Sequence, residues 1–301
     1  MKTFRCFLIG LVTTCFPAIV FGQEYANHEF DSIYHAATNG DAGAECDLGI
    51  MYYTGKMVVR NPRKAFNLML KSAQQGNRIA QNDLGGFYHD GVGTDTSISE
   101  AVYWMRKSAE QNFHSAEYSL GRYYEKGYGV EKNLSEAVKW YKMAMGQGDL
   151  NAQRSLAELC YKGIGFKKDY KTAIEMLQKP ADSGDTNAQY DLGDIYVIEK
   201  DYSKAFEWLK KAADSDNAGA QNYVGYLYLN GYGVTKDYAE AMKWFNNALD
   251  KGNKYAEGNI GFMYYKGYGV KKDTVLGLKL IKEAADAGGD YFKKFLKTHV
   301  P

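Results

Sequence analysis

Residues 116–130 read Ala116-Glu117-Tyr118-Ser119-Leu120-Gly121-Arg122-Tyr123-Tyr124-Glu125-Lys126-Gly127-Tyr128-Gly129-Val130. Ala116, Leu120, Tyr123 and Tyr124 fall at i, i+4, i+7 and i+8, the apolar stripe of an amphipathic helix. Gly127 and Gly129 then supply the positive φ that a helix end needs. Asn133 follows, a residue whose side chain accepts from a free backbone N–H at a helix start. Ala137 and Trp140 lie three apart behind it, on one face of a second helix. The stretch spells one helix–turn–helix unit.

The unit recurs seven times. Its opening small residue stands at Ala44, Ala80, Ala116, Ala152, Ala188, Ala220 and Ala256, in steps of 36, 36, 36, 36, 32 and 36 residues. A fixed period of this length marks a helical array in which no single repeat can bury its own apolar face. The expected fold is therefore all-α, an α/α solenoid of seven helix–turn–helix repeats over residues 44–289.

Finer features keep the same register. A glycine sits beside the first-helix stripe at Gly49, Gly85, Gly121, Gly193, Gly225 and Gly261, with Ala157 in the fourth copy. A glycine inside a helix costs about 1 kcal/mol against alanine, so its recurrence predicts close approach of a neighbouring helix. Second helices begin behind Asn61, Ser97, Asn133, Asp169, Asp201, Asp237 and Asp273, all N-cap types. All four tryptophans fall on the bulky position of that helix, which predicts core rather than ligand cage. The fifth copy is four residues short, and the loss falls in the turn before Asp201. Residues 23–43 are expected to cap one end of the stack. Residues 290–301 are expected to cap the other, with Phe292 and Leu296 as its core positions.

Ahead of the array, Lys2 and Arg5 precede an apolar run from Phe7 to Phe21, with Val20 and Gly22 at the −3 and −1 positions. This is the pattern of a secretory signal peptide over residues 1–22. The mature chain is expected to start at or near Gln23 and to be periplasmic or secreted, without stable membrane insertion. The formal charge is +1, and losing Lys2 and Arg5 makes it −1. Near-neutrality with interspersed signs gives no nucleic-acid footprint. Only Cys46 and Cys160 lie outside the leader. Three repeats of helix stacking exceed disulfide reach, so both are expected to be idle thiols, with an intermolecular bridge as the alternative.

The run at 116–130, continued by Ala137, Trp140 and Ala144, resembles the Sel-one-like repeat (SLR), a cousin of the tetratricopeptide repeat. The resemblance covers residues 44–289. It implies a right-handed α/α superhelix whose first helices line the concave side. It also implies a non-catalytic adaptor; exported bacterial members act in envelope signalling, envelope scaffolding or host interaction. Some exported relatives carry a disulfide in each repeat, and this chain lacks those cysteines.

The sequence offers no catalytic or metal motif. His28, His35, His89, His114 and His299 form no His-Glu-x-x-His site, and no Cys/His cluster has zinc spacing. There is no Gly-x-Ser-x-Gly elbow and no Ser-x-x-Lys pair. The chain is thus expected to be no enzyme and to need no cofactor. An envelope enzyme or cell-wall-fragment binder is the alternative. Positions two, six and nine after each opening alanine lie nearly opposite the buried stripe. They carry Cys46, Ile50 and Tyr53; Asn82, Gly86 and His89; Tyr118, Arg122 and Glu125; Arg154, Glu158 and Tyr161; Tyr190, Asp194 and Val197; Asn222, Tyr226 and Leu229; Gly258, Phe262 and Tyr265. Tyr and Arg are favoured where binding energy concentrates. Tyr118, Arg122, Arg154, Tyr161, Tyr190, Tyr226, Phe262 and Tyr265 are therefore the expected contacts for a protein or peptide partner, held by a monomer.

Overall fold

A computed structural model describes residues 28–299. The expected leader lies outside the described residues. Their regular elements are all helices, with no strand among the described residues, and they form an all-α helical-repeat solenoid. The chain divides into two compact units, one ending at Ala144 and the other starting at Met145.

In the first unit, a helix α1 over 28–38 precedes α2 (Ala42–Thr54), α3 (Pro62–Gln74), α4 (Arg78–Asp90), α5 (Ile98–Ala109), α6 (His114–Lys126) and α7 (Leu134–Gly146), whose last two residues fall in the second unit. The second holds α8 (Leu150–Lys162), α9 (Tyr170–Asp182), α10 (Thr186–Ile198), α11 (Tyr202–Asp214), α12 (Ala218–Asn230), α13 (Tyr238–Asp250), α14 (Lys254–Lys266), α15 (Thr274–Asp286) and α16 (Asp290–His299). From α2 onward the even-numbered helices up to α14 are first helices, and the odd-numbered ones are second helices. Within each unit a first helix packs on its own second helix, which packs in turn on the next first helix.

The boundaries follow from local chemistry. The Asn133 carboxamide accepts from the Glu136 N–H at 3.1 Å, capping α7. First helices other than α6, whose N-cap is Phe113 with no side-chain bond, are capped the same way, as where Asp149 accepts from the Ala152 N–H at 2.9 Å. Asp41, Asn77, Asp185, Asn217 and Asn253 do likewise. Each stands three residues before an opening alanine, so these first helices carry a start signal in fixed register, as the second helices do. At the other end of α6, Gly127 and Gly129 have φ of 77° and 62°. The trimmed fifth turn has no Gly-x-Gly, and Lys200 takes the left-handed conformation there, at φ 63°.

The core is shared between repeats. One cluster joins Ala65, Phe66 and Met69 of α3 to Leu84 and Phe87 of α4 and closes on Trp104 of α5. Trp140, Trp208 and Trp244 close the corresponding clusters further on, so all four tryptophans are core residues. The mid-helix glycine does what its position predicts: a Cβ on Gly121 would stand 2.5 Å from the ring of Tyr141, a fully buried residue. Gln81, Gln189 and Gln221, each just after an opening alanine, donate to Ala73, Ala181 and Ala213 carbonyls of the preceding second helix. Those carbonyls end a helix, and each also accepts from a backbone N–H of the following turn, at Gly76, Gly184 and Asp216.

The two ends are closed. Ala37 of α1, flanked by Phe30 and Ile33, packs on Ala44, Leu48 and Met51. At the far end Phe292 is buried as expected, but Phe295 rather than Leu296 fills the second core position. Its ring meets those of Phe262 and Tyr265 at 5.6 and 5.4 Å, and this pairing of aromatics sets the choice.

Candidate functional site: the first-helix faces

In the first unit the outward face of α2, α4 and α6 lines two hollows of about 450 and 300 Å³. Ile50, Tyr53, Asn82, Gly86 and Asp90 wall the first, while His89, Asp90, Arg122, Tyr123 and Tyr128 wall the second. Arg122 is exposed and makes no ion pair among the described residues. His89 Nδ1 and the Tyr123 hydroxyl are 2.6 Å apart. Burial, with Asp90 nearby, pushes the Tyr123 phenol up to about 12, so it stays a neutral hydroxyl in that contact. Tyr118 is half-buried, its ring centroid 5.8 Å from that of Tyr141. Glu125 is used internally: it accepts from Tyr141 at 2.7 Å and pairs with Lys126 at 2.6 Å. Burial works to raise its pKa, but these two donors outweigh that and hold it below the ordinary value.

In the second unit the expected contacts divide. Tyr226 is exposed on α12, and Tyr190 is half-buried with its ring 5.9 Å from Tyr223. Arg154 is half-buried, its Nε 3.7 Å from an Asp185 carboxylate oxygen. Tyr161 requires a correction: it is 6% exposed and belongs to the core cluster of α8–α11. Its hydroxyl donates to Asp191 at 3.3 Å. Leu229 and Cys46 are buried as well, and Gly258 lies under the Phe292 ring. The cause is common. Consecutive first helices touch, as α8 does α10 and α12 does α14, so part of the face opposite the stripe is covered by the next repeat. Phe262 and Tyr265 are half-buried on the α16 aromatics and act partly as packing residues.

The two thiols are free and buried. Burial, with Asp83 and Asp47 adding to it, pushes the Cys46 thiol up to about 12, far from a reactive thiolate. Sequence reasoning missed Tyr255, Asn259 and Tyr291, which wall hollows of the second unit beside Asn222 and Tyr226. They lie one position before and three after an opening alanine, and on α16, outside the two–six–nine register. No helix among the described residues is long and apolar enough to cross a membrane.

Paired helices, interleaved cores and a fixed period define an α-helical repeat protein. The chain belongs to the Sel1 repeat family, whose model matches seven times, at residues 42–77, 78–113, 114–149, 150–185, 186–217, 218–253 and 254–289. Proteins of this family are in general protein-interaction scaffolds. Among solved structures the chain is similar to a protective antigen of uropathogenic Escherichia coli displaying an SLR fold. The TM-score is 0.76 at 29% identity, over 88% of this chain and 58% of that one. It thus spans little more than half of the antigen's length. It is also similar to a Sel1 repeat protein of Oxalobacter formigenes, at TM-score 0.71 and 30% identity, over 80% of this chain and 96% of that one. No curated protein matches the chain.

Proposed function

We propose that this chain is an exported interaction scaffold that holds a protein or peptide partner on the first-helix faces of its two units. One observation carries the reading. Positions facing the core repeat the same residue types, whereas the outward first-helix positions differ from copy to copy, and those the neighbouring repeat leaves uncovered line hollows with side chains the fold does not consume. Arg122 and Tyr226 are the clearest of these. Affinity capture on the tagged chain, with Arg122→Glu and Tyr226→Ala singly and together, tests it. The double variant is expected to lose its partner by about 2 kcal/mol or more, hot-spot scale, with an unchanged urea midpoint. Arg122→Glu alone should act mainly on association rate and salt dependence. Undiminished capture by a folded double variant refutes the assignment.

Export is part of the same proposal and rests on the leader pattern of residues 1–22. N-terminal sequencing of the protein from the periplasmic or culture fraction should begin at or near Gln23. An intact Met1 on a membrane-bound product would make the leader an anchor.

A further inference from the structure

Two adjoining hollows of the second unit, about 310 and 470 Å³, share Asn222, Tyr226, Tyr255 and Asn259. No Asp, Glu, Lys, Arg or His lines either one. That neutrality is local, since charged residues make up 24% of the chain. The first-unit hollows carry Asp83, Asp90 and Arg122 on their walls. At the shared wall the Asn259 amide donates to the Asn222 carbonyl oxygen at 2.9 Å, across one repeat. The bond fixes both carboxamides. It leaves Asn222 Nδ2 as a donor and Asn259 Oδ1 as an acceptor, with no partner among the described residues. Beside them stand three phenol rings left to solvent: Tyr226, Tyr255 and Tyr291 are 38, 54 and 61% exposed.

We infer that these hollows form a binding site for a short stretch of neutral oligosaccharide. A pyranose ring offers a flat face of C–H bonds, whose positive edge suits the negative face of a phenol ring. Its adjacent hydroxyls each donate and accept, which is what the free amide and the free carbonyl oxygen require. A neutral ligand also loses no ion hydration on entering a site that holds no counter-charge. An amphipathic peptide helix fits less well, because its apolar face would cover both carboxamides without pairing them. The site goes beyond the scaffold reading; Tyr226 belongs to both, whereas Arg122 tests that reading from the other unit and Tyr255 and Asn259 test this site alone.

The test uses the mature full chain with cellotetraose, maltotetraose and N-acetylchitotetraose as probes, followed by saturation-transfer NMR. At least one probe should show transfer concentrated on its ring C–H protons, with a Kd of about 1 mM or tighter. Tyr255→Ala should weaken that binding about tenfold, the worth of one stacked ring, whereas Tyr255→Phe should preserve it. Asn259→Ala should weaken it comparably. Because Tyr255 is more than half exposed, melting temperatures should stay within about 2 °C of wild type. No transfer to any of the three sugars at about 10 mM would overturn the proposal. So would binding that survives both alanine variants. A neutral peptide of Ser, Thr, Asn and Gly binding there in place of the sugars, and lost in the same variants, would return this end to the protein-partner surface and likewise overturn it.

Discussion

Asp191 shows how one position comes to differ from its equivalents elsewhere in the array. Burial raises its pKa most, Glu158 adds to this, and Arg154, Lys162 and the Tyr161 hydroxyl oppose it; the net result is a carboxyl raised from 3.8 to about 7. The folded state therefore holds a proton that the unfolded state releases near its ordinary value. Its contribution is complete below about pH 4 and is lost as pH rises toward 7. Asp191→Asn removes the titration while keeping an oxygen for Tyr161. It should stabilise the protein at pH 8 by roughly 2 kcal/mol or more, with the gain shrinking toward pH 4. Urea midpoints at pH 8, 6 and 4.5 measure this, and a gain independent of pH would contradict it. At this scale the alanines and tryptophans were legible because seven copies repeat them. Tyr161 was not, because what buries it is Asp191 and its neighbours on the helix of the next copy.

Helices here are defined by their ends and by where another helix must come close. The caps and the Gly-x-Gly stops can be read from sequence because each acts within a few residues of itself. Interhelix distance is different, and the glycine pattern only hints at it. In isolation Gly121→Ala should help α6 by about 1 kcal/mol. In the protein its Cβ would stand 2.5 Å from the Tyr141 ring. That ring is fully buried, and its hydroxyl is tied to Glu125. Overpacking then dominates, and Gly121→Ala should destabilise by about 1–3 kcal/mol. Urea titration decides between the two signs.

The whole array gains its stability from surfaces that no repeat completes alone. Trp140 closes a cluster built from α5, α6 and α7. Trp140→Ala should cost about 3–5 kcal/mol through the cavity it leaves. The loss should spread as faster amide exchange in α5 and α6 as well as α7, as in a chain of nearest-neighbour interfaces. Exchange confined to α7 would contradict the shared core. The fold was legible at this scale because a period survives any choice of surface residues. The contact surface was legible only as a face, since touching first helices cover some of its positions, and the partner's identity is not encoded in the period at all. That the first-helix faces hold the partner is the central claim. Its most direct test places a photo-cross-linking residue at Arg122, Tyr226 or Tyr103 in turn, in cells that express the protein natively. Arg122 and Tyr226 stand on first helices, and Tyr103 stands half exposed on a second helix. Partner adducts at Arg122 and Tyr226 with none at Tyr103 are predicted; adducts from Tyr103 alone would contradict the claim.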